Sequence, residues 1–254
     1  MDPMTVPSFQ NPRMVVSCAE EYHDPSHPRD TLDYLDFLNQ LGNPARKRTP
    51  PQGEQLRLIL DDYLRTWGRM ARVLGSSKDD KSKVRQGLEF ALQREWSEIQ
   101  SLSHWTIERV PNKSCLTSLE RVFDGLLESW RGLGTVNSKV RKSPVAVGKL
   151  LHIILPDLCV IWDNRYVLDN WFESEGGKKE WFPPTGQGYA RYVALKAQQL
   201  ASVSKKIGAS SKIAGRRLER LHMAKVRRMV EGIPPGRVEP ITKILDELNY
   251  LAIA

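Results

Sequence analysis

The chain of 254 residues has only three cysteines, Cys18, Cys115 and Cys159, which lie far apart in the sequence. An odd number at such spacings argues against a disulfide framework and offers no clustered ligands for zinc or an iron–sulfur cluster. No apolar run approaches the roughly 20 residues of a membrane-spanning helix. The N-terminus lacks the basic start and apolar block of a signal peptide. We therefore expect a cytoplasmic protein with no membrane association, no metal and no cofactor.

Signals for strands and for common catalytic loops are also missing. No segment shows convincing strand alternation or a two-residue hairpin turn, and neither a nucleotide-binding glycine loop nor a serine-hydrolase elbow occurs. Helical periodicity, in contrast, returns along the chain and indicates about eight to ten helices. The sequence predicts an all-α protein with an irregular arm at 1–29 and a helical domain at 30–254, with helices near 30–41, 54–74, 82–101, 115–131, 187–207, 211–231 and 238–251.

Positive charge is what the chain has in excess. It has 38 lysines and arginines against 30 aspartates and glutamates, for a formal net charge of +8. Residues 196–231 hold ten lysines and arginines, and their only acids are Glu219 and Glu231. Such asymmetry is typical of a surface that binds nucleic acid, where cations release condensed counterions. The alternative is a basic protein without such a partner.

A central motif contains one lysine and one aspartate of interest. Ser143 and Pro144 are typical of the cap and first residue of a helix, and Lys149 follows near the start of that apolar helix. Asp163 comes directly after the apolar run 159–162. A charge in this position is costly to desolvate unless it has a partner or a function. The motif therefore indicates a candidate site at Lys149 and Asp163.

This pattern of helix start, lysine, apolar helix and aspartate resembles the core of the helix–hairpin–helix DNA glycosylase superfamily, over roughly residues 130–170. The resemblance implies a two-lobed helical fold with a cleft between the lobes, one at approximately 30–134 with the C-terminal helices and the other at 135–235. It also implies that Asp163 is the catalytic carboxylate. Lys149 is the candidate nucleophile or cationic helper, and its spacing from Asp163, several residues shorter than is usual in lysine-bearing members, favours the helper.

Basic and aromatic residues around the motif suit contact with a flipped nucleotide. Cations beside a helix N-terminus attract phosphate, and a base outside the stack needs an aromatic or apolar pocket. A solvated basic loop, core aromatics and an aspartate that caps a helix are the structural alternatives. The candidates for DNA binding are Lys139, Arg141, Lys142, Ser143, Gly148 and Arg165, and those for the base pocket are Trp162, Tyr166, Trp171 and Trp181.

The function expected from the resemblance is base excision by a monomeric DNA glycosylase acting on double-stranded DNA with a modified or damaged base. The motif is also similar to that of a prokaryotic branch proposed to attack modified phage DNA. A hypermodified cytosine, such as glucosylated hydroxymethylcytosine, is therefore as plausible a target as an oxidised or alkylated purine. Two alternatives stay open: a HEPN-type ribonuclease, whose arginine–histidine spacing Arg217 and His222 reproduce, and a non-catalytic DNA-binding protein.

Overall fold

A computed structural model of the chain describes residues 29–75, 77–109, 111–130, 135–136, 139–140, 142–162, 182–206, 208–229, 233 and 239–251. The prediction of an all-α protein is confirmed. Single 3₁₀ turns lie at Pro44–Arg46 and Ile107–Arg109. The helices are α1 Arg29–Leu41, α2 Gly53–Arg57 with a π-helical continuation at Leu58–Trp67, α3 Ala71–Leu74, α4 Lys78–Leu102, α5 Lys113–Ser129, α6 Pro144–Ile154, α7 Gly186–Lys206, α8 Ser211–Met229 and α9 Ile241–Leu251. The irregular arm predicted at 1–29 falls outside this description up to residue 28.

The prediction of one helix over 54–74 is wrong in detail, because this stretch is interrupted. After the π-helix, the N–H of Gly68 donates to the carbonyl of Tyr63 at 2.6 Å, and Arg69 has a φ of +54°. A non-glycine residue in this left-handed region ends regular helix winding. Apolar periodicity continues through the break, because both sides of it pack on the same core, and the sequence pattern therefore conceals it.

A short antiparallel ribbon precedes α6, and no hairpin was predicted there. Its strands are β1, Thr135–Val136, and β2, Lys139–Val140, with Thr135 opposite Val140 and Val136 opposite Lys139. Two residues per strand are too few for alternation to be visible in a sequence. In the part of the chain that the structure describes, β1 and β2 are the two strands.

The core lies between α4, α5, α6 and α7. Asn112 caps α5 by accepting a 2.9 Å hydrogen bond from the N–H of Cys115, as expected of an N-cap residue. The apolar stripe of α5, spaced three and four residues apart, is fully buried against α4 and α7. In α6 the buried residues occur on all sides, which is typical of a helix inside a protein. Because α6 is central, its residues His152 and Gly148 contact the segment that leads to Asp163.

Candidate active site

The segment before Asp163 is buried and held by side chains of two helices. Residues 158–162 have no regular secondary structure, and each is at most 3 % exposed. Buried carbonyls need hydrogen-bond donors. His152 of α6 provides one through Nδ1, 2.7 Å from the carbonyl oxygen of Cys159, and the hydroxyl of Tyr189 in α7 donates to the carbonyl of Val160 at 2.8 Å. The backbone of this segment is therefore fixed at two successive residues.

His152 has a defined tautomer. A carbonyl oxygen only accepts hydrogen bonds, so the proton lies on Nδ1, and Nε2 accepts from the hydroxyl of Tyr34 at 2.6 Å. Burial lowers the pKa of His152 to about 4, so the ring is neutral at physiological pH. The chain of bonds from Tyr34 through His152 to Cys159 connects α1, α6 and the buried segment. His152 thus helps to fix the buried segment, which its position in the sequence did not indicate.

Gly148 allows α6 to approach the same segment closely. A Cβ atom at position 148 would lie 2.6 Å from Cβ of Trp162, well inside van der Waals contact. Trp162 is 1 % exposed, and its ring meets that of Tyr192 edge to face at 5.6 Å. In this structure, therefore, Gly148 and Trp162 pack in the core rather than line an open surface for DNA or a base.

The remaining candidates around Asp163 are not placed. Lys139 belongs to strand β2. Asp163 follows Trp162 directly in the chain, and Trp162 is the last residue described before it. The candidates that lie outside the described residues are Arg141, Asp163, Arg165, Tyr166, Trp171 and Trp181.

Lys149 connects α6 to the end of the π-helix. Its ammonium group donates to the carbonyl of Gly68 at 2.8 Å, beside the left-handed Arg69. A cation at the C-terminal end of a helix stabilises carbonyls that have no partner in the helix. Lysine has three N–H donors, and this bond occupies one of them. Lys149 thus has a structural contact 81 residues away in the chain, which its sequence position did not indicate.

The N-terminus of α6 is capped within the chain. Ser143 Oγ accepts from the N–H of Ala146 at 3.3 Å, the carbonyl of Ser143 accepts from Val147, and Pro144 has no N–H. The exposed Lys142 forms an ion pair with Glu128 of α5. The N–H groups of Ala146 and Val147 and the ammonium group of Lys142 thus have partners within the chain. The prediction of a helix start at Ser143 is confirmed.

The arginine and histidine of the ribonuclease alternative do not face a common site. Arg217 is exposed, whereas His222 is 1 % exposed and its Nε2 lies 2.6 Å from Oε2 of Glu239. Five residues apart on α8, they point in directions that differ by roughly 140°. This geometry does not favour a HEPN-type ribonuclease.

Sequence reasoning also missed a buried cluster of charged residues around α9. Lys196 of α7 is fully buried, and Asp246 of α9 is 2 % exposed. Burial lowers the pKa of Lys196 to about 7, and the charge of Asp246 opposes this effect. Lys243 lies over the ring of Trp67, with its Nζ 5.5 Å from the ring centre. No sequence signal identifies this cluster, because polar residues spaced along an amphipathic helix normally face solvent.

Three further findings concern membrane spans, metal sites and similarity to known proteins. Within the described ranges, no helix has the length and apolarity needed to cross a membrane. The same part of the chain contains no group of three or more His, Cys, Asp or Glu side chains arranged to hold a metal. In comparisons with known proteins, the chain matches no family model, no curated protein and no solved structure.

Proposed function

We propose that this protein is a DNA glycosylase that excises a modified or damaged base from double-stranded DNA, with Asp163 as its catalytic carboxylate. The observation that supports the proposal is the anchoring of residues 158–162. A catalytic group has to be held within about 0.5 Å of its productive position. Hydrogen bonds from His152 and Tyr189, together with the close packing of Gly148 on Trp162, provide such support directly before Asp163.

In the proposed reaction, the bond between C1′ of deoxyribose and the base nitrogen breaks, and the base leaves with the electron pair. Positive charge develops on the sugar, and the carboxylate of Asp163 stabilises it while orienting an attacking water. The water oxygen bonds to C1′, and its proton is released as the departing base is protonated. The products are a free base and an abasic site.

The target nucleotide has to leave the base stack before this reaction. We infer that it enters a cleft between two lobes, 30–134 with the C-terminal helices and 135–235, where Tyr166, Trp171 and Trp181 form the pocket. Trp162, which is buried, supports the segment beneath. Both a hypermodified cytosine and an oxidised or alkylated purine suit a pocket of this kind.

Lys149 is assigned the role of cationic helper. Its bond to the carbonyl of Gly68 holds the ammonium group beside α6, from which its charge acts on the site without a covalent step. If Lys149 instead attacked C1′ as a nucleophile, borohydride would trap a cross-link to DNA. We expect no cross-link, and a Lys149-dependent one would contradict the helper role.

The decisive experiment is an excision assay on duplexes that contain glucosylated hydroxymethylcytosine, an oxidised purine, an alkylated purine or no modification. Abasic sites are detected by alkaline strand cleavage. Asp163→Asn should abolish their formation on the preferred duplex. The matched control is Asp157→Asn, which changes an exposed aspartate at the start of the same loop and should leave excision intact. Equal activity of the Asp163→Asn variant and the unmodified protein would refute the proposal.

A non-catalytic DNA-binding protein is the second candidate, because the exposed side of α8 is strongly basic. Its expected result is tight binding to every duplex with no abasic sites on any of them. If the protein cleaves RNA and His222→Ala abolishes that cleavage, the ribonuclease alternative would be supported despite the burial of His222.

A further inference from the structure

One side of α8 carries a cluster of exposed arginines, here called the arginine face: Arg216, Arg217, Arg220, Arg227 and Arg228. At 100° and 1.5 Å per residue, these five lie within a sector of roughly 120° and along roughly 18 Å of the helix. The opposite side is buried, and Met223 and Val226 pack against Leu35 of α1. The helix is therefore fixed to the body of the protein with its arginines toward solvent.

Two carboxylates lie near one edge of the arginine face, because Glu108 and Glu219 both interact electrostatically with Arg216. Glu219, half-buried, accepts a hydrogen bond from the N–H of Ile241 at the start of α9. No carboxylate of the described residues lies within ion-pair distance of Arg217, Arg220 or Arg228. Like charges three or four residues apart destabilise a helix. Arg217 and Arg220 thus repel each other, and a bound polyanion would offset that repulsion.

The guanidinium groups of Arg220 and Arg228 retain donors for such a ligand. Nε of Arg220 donates to the carbonyl of Arg216 at 3.3 Å, and Nε of Arg228 donates to the carbonyl of Ala224 at 3.2 Å. Each bond uses one of five N–H donors and orients the fork that binds phosphate oxygens in pairs. Ala224 is exposed on the same side, and its small side chain leaves room for close approach.

We propose that the arginine face binds the phosphate backbone of double-stranded DNA and is the main electrostatic contact of the protein with its substrate. This inference rests on the proposed function only in naming the DNA as substrate. Duplex DNA has one negative charge per 1.7 Å of axis, so 18 Å of duplex carries on the order of ten phosphates, counted over both strands. Contacts of this kind position the duplex without reading its sequence.

The test compares two triple variants that remove the same charge. One is Arg217→Gln, Arg220→Gln and Arg228→Gln on the arginine face; the control is Lys78→Gln, Lys81→Gln and Lys83→Gln on the exposed side of α4. Binding to a fluorescent unmodified duplex is measured by anisotropy at several salt concentrations. Because each lost phosphate contact lowers the slope of log K against log salt by about 0.9, the slope should fall by about 2.7 in the α8 variant.

The control should change the slope by less than about 0.5, since these lysines stand beside Asp79 and Asp80 and alter only the general field of the protein. Equal effects of the two variants would overturn the proposal, as would tighter binding of single-stranded RNA than of duplex DNA. Circular dichroism verifies that both variants fold. The excision assay, with Asp163→Asn as its inactive variant, is independent of this binding measurement and therefore separates the inference from the proposed function. A protein that excises no base but shows the α8-specific slope change would retain the interface and lose the glycosylase.

Discussion

Replacement of Gly148 by alanine tests whether close packing of α6 positions the segment before Asp163. The added Cβ would lie 2.6 Å from Cβ of Trp162 and 3.3 Å from its backbone nitrogen. Ordinary carbon contacts are 3.5–4.0 Å, so the helix and the segment have to separate by about 1 Å. Overpacking of a core costs typically 1–3 kcal/mol. A displacement of about 1 Å at a catalytic group costs on the order of 100-fold in rate.

The assay has two independent readouts, urea unfolding and the single-turnover rate of base excision. Gly148→Ala should lower the free energy of unfolding by about 1–3 kcal/mol and slow excision about 100-fold, with duplex affinity unchanged. Gly125→Ala in α5 is the matched control, because the three atoms nearest to its added Cβ all belong to the flexible carboxyl end of Glu95. If Gly148→Ala is as stable and active as the control, the close packing does not position the proposed catalytic carboxylate, Asp163.

Three further predictions concern buried polar groups. Tyr189→Phe should lower the free energy of unfolding by about 1–3 kcal/mol, because it leaves the carbonyl of Val160 without its donor; denaturant titration measures this. Asp246→Asn should lower the free energy of unfolding by about 3–5 kcal/mol, because it removes the charge that stabilises the buried Lys196. The double variant Lys196→Met, Asp246→Leu leaves neither charge buried and should recover most of this loss. Burial, reinforced by neighbouring carboxylates, raises the pKa of Glu219 to about 7. The native state therefore binds more protons than the unfolded state between pH 4.5 and 7, and stability falls across this range. At pH 8 the free energy of unfolding of Glu219→Gln should therefore exceed that of the unmodified protein by on the order of 1 kcal/mol, after allowance for solvent screening. At pH 4.5 the two free energies should be equal.

Much of the fold is predictable from sequence because apolar periodicity and caps are local. The predicted helix at 211–231 corresponds to Ser211–Met229, and Ser143 caps α6 as its sequence predicts. The break at Gly68 could not be predicted, since it depends on a carbonyl that Lys149 stabilises from 81 residues away. For the same reason His152 was not selected: its partner Tyr34 lies 118 residues earlier. Periodicity reveals which positions are apolar, but not which polar positions find buried partners.

The two proposed parts of the site are joined by direct contacts through the 3₁₀ turn Ile107–Arg109. On one side, Gly215 of α8 packs so closely on Glu108 that a Cβ there would lie 2.8 Å from the carboxylate. On the other, the N–H of Ile107 donates to the carbonyl of Asp157 at 2.8 Å, directly before the anchored residues 158–162. The next carbonyl toward the N-terminus, that of Pro156, accepts from the hydroxyl of Thr242 in α9. The hydrogen bonds to Asp157 and Pro156 fix the start of this loop to the 3₁₀ turn and to α9. DNA bound on the proposed arginine face would therefore be related to the loop through the contact of α8 with the same turn. Orientation of a bound duplex against the proposed catalytic carboxylate requires a connection of this kind. The contacts through Gly215, Ile107 and Thr242 are therefore what relates the binding proposal to the catalytic one.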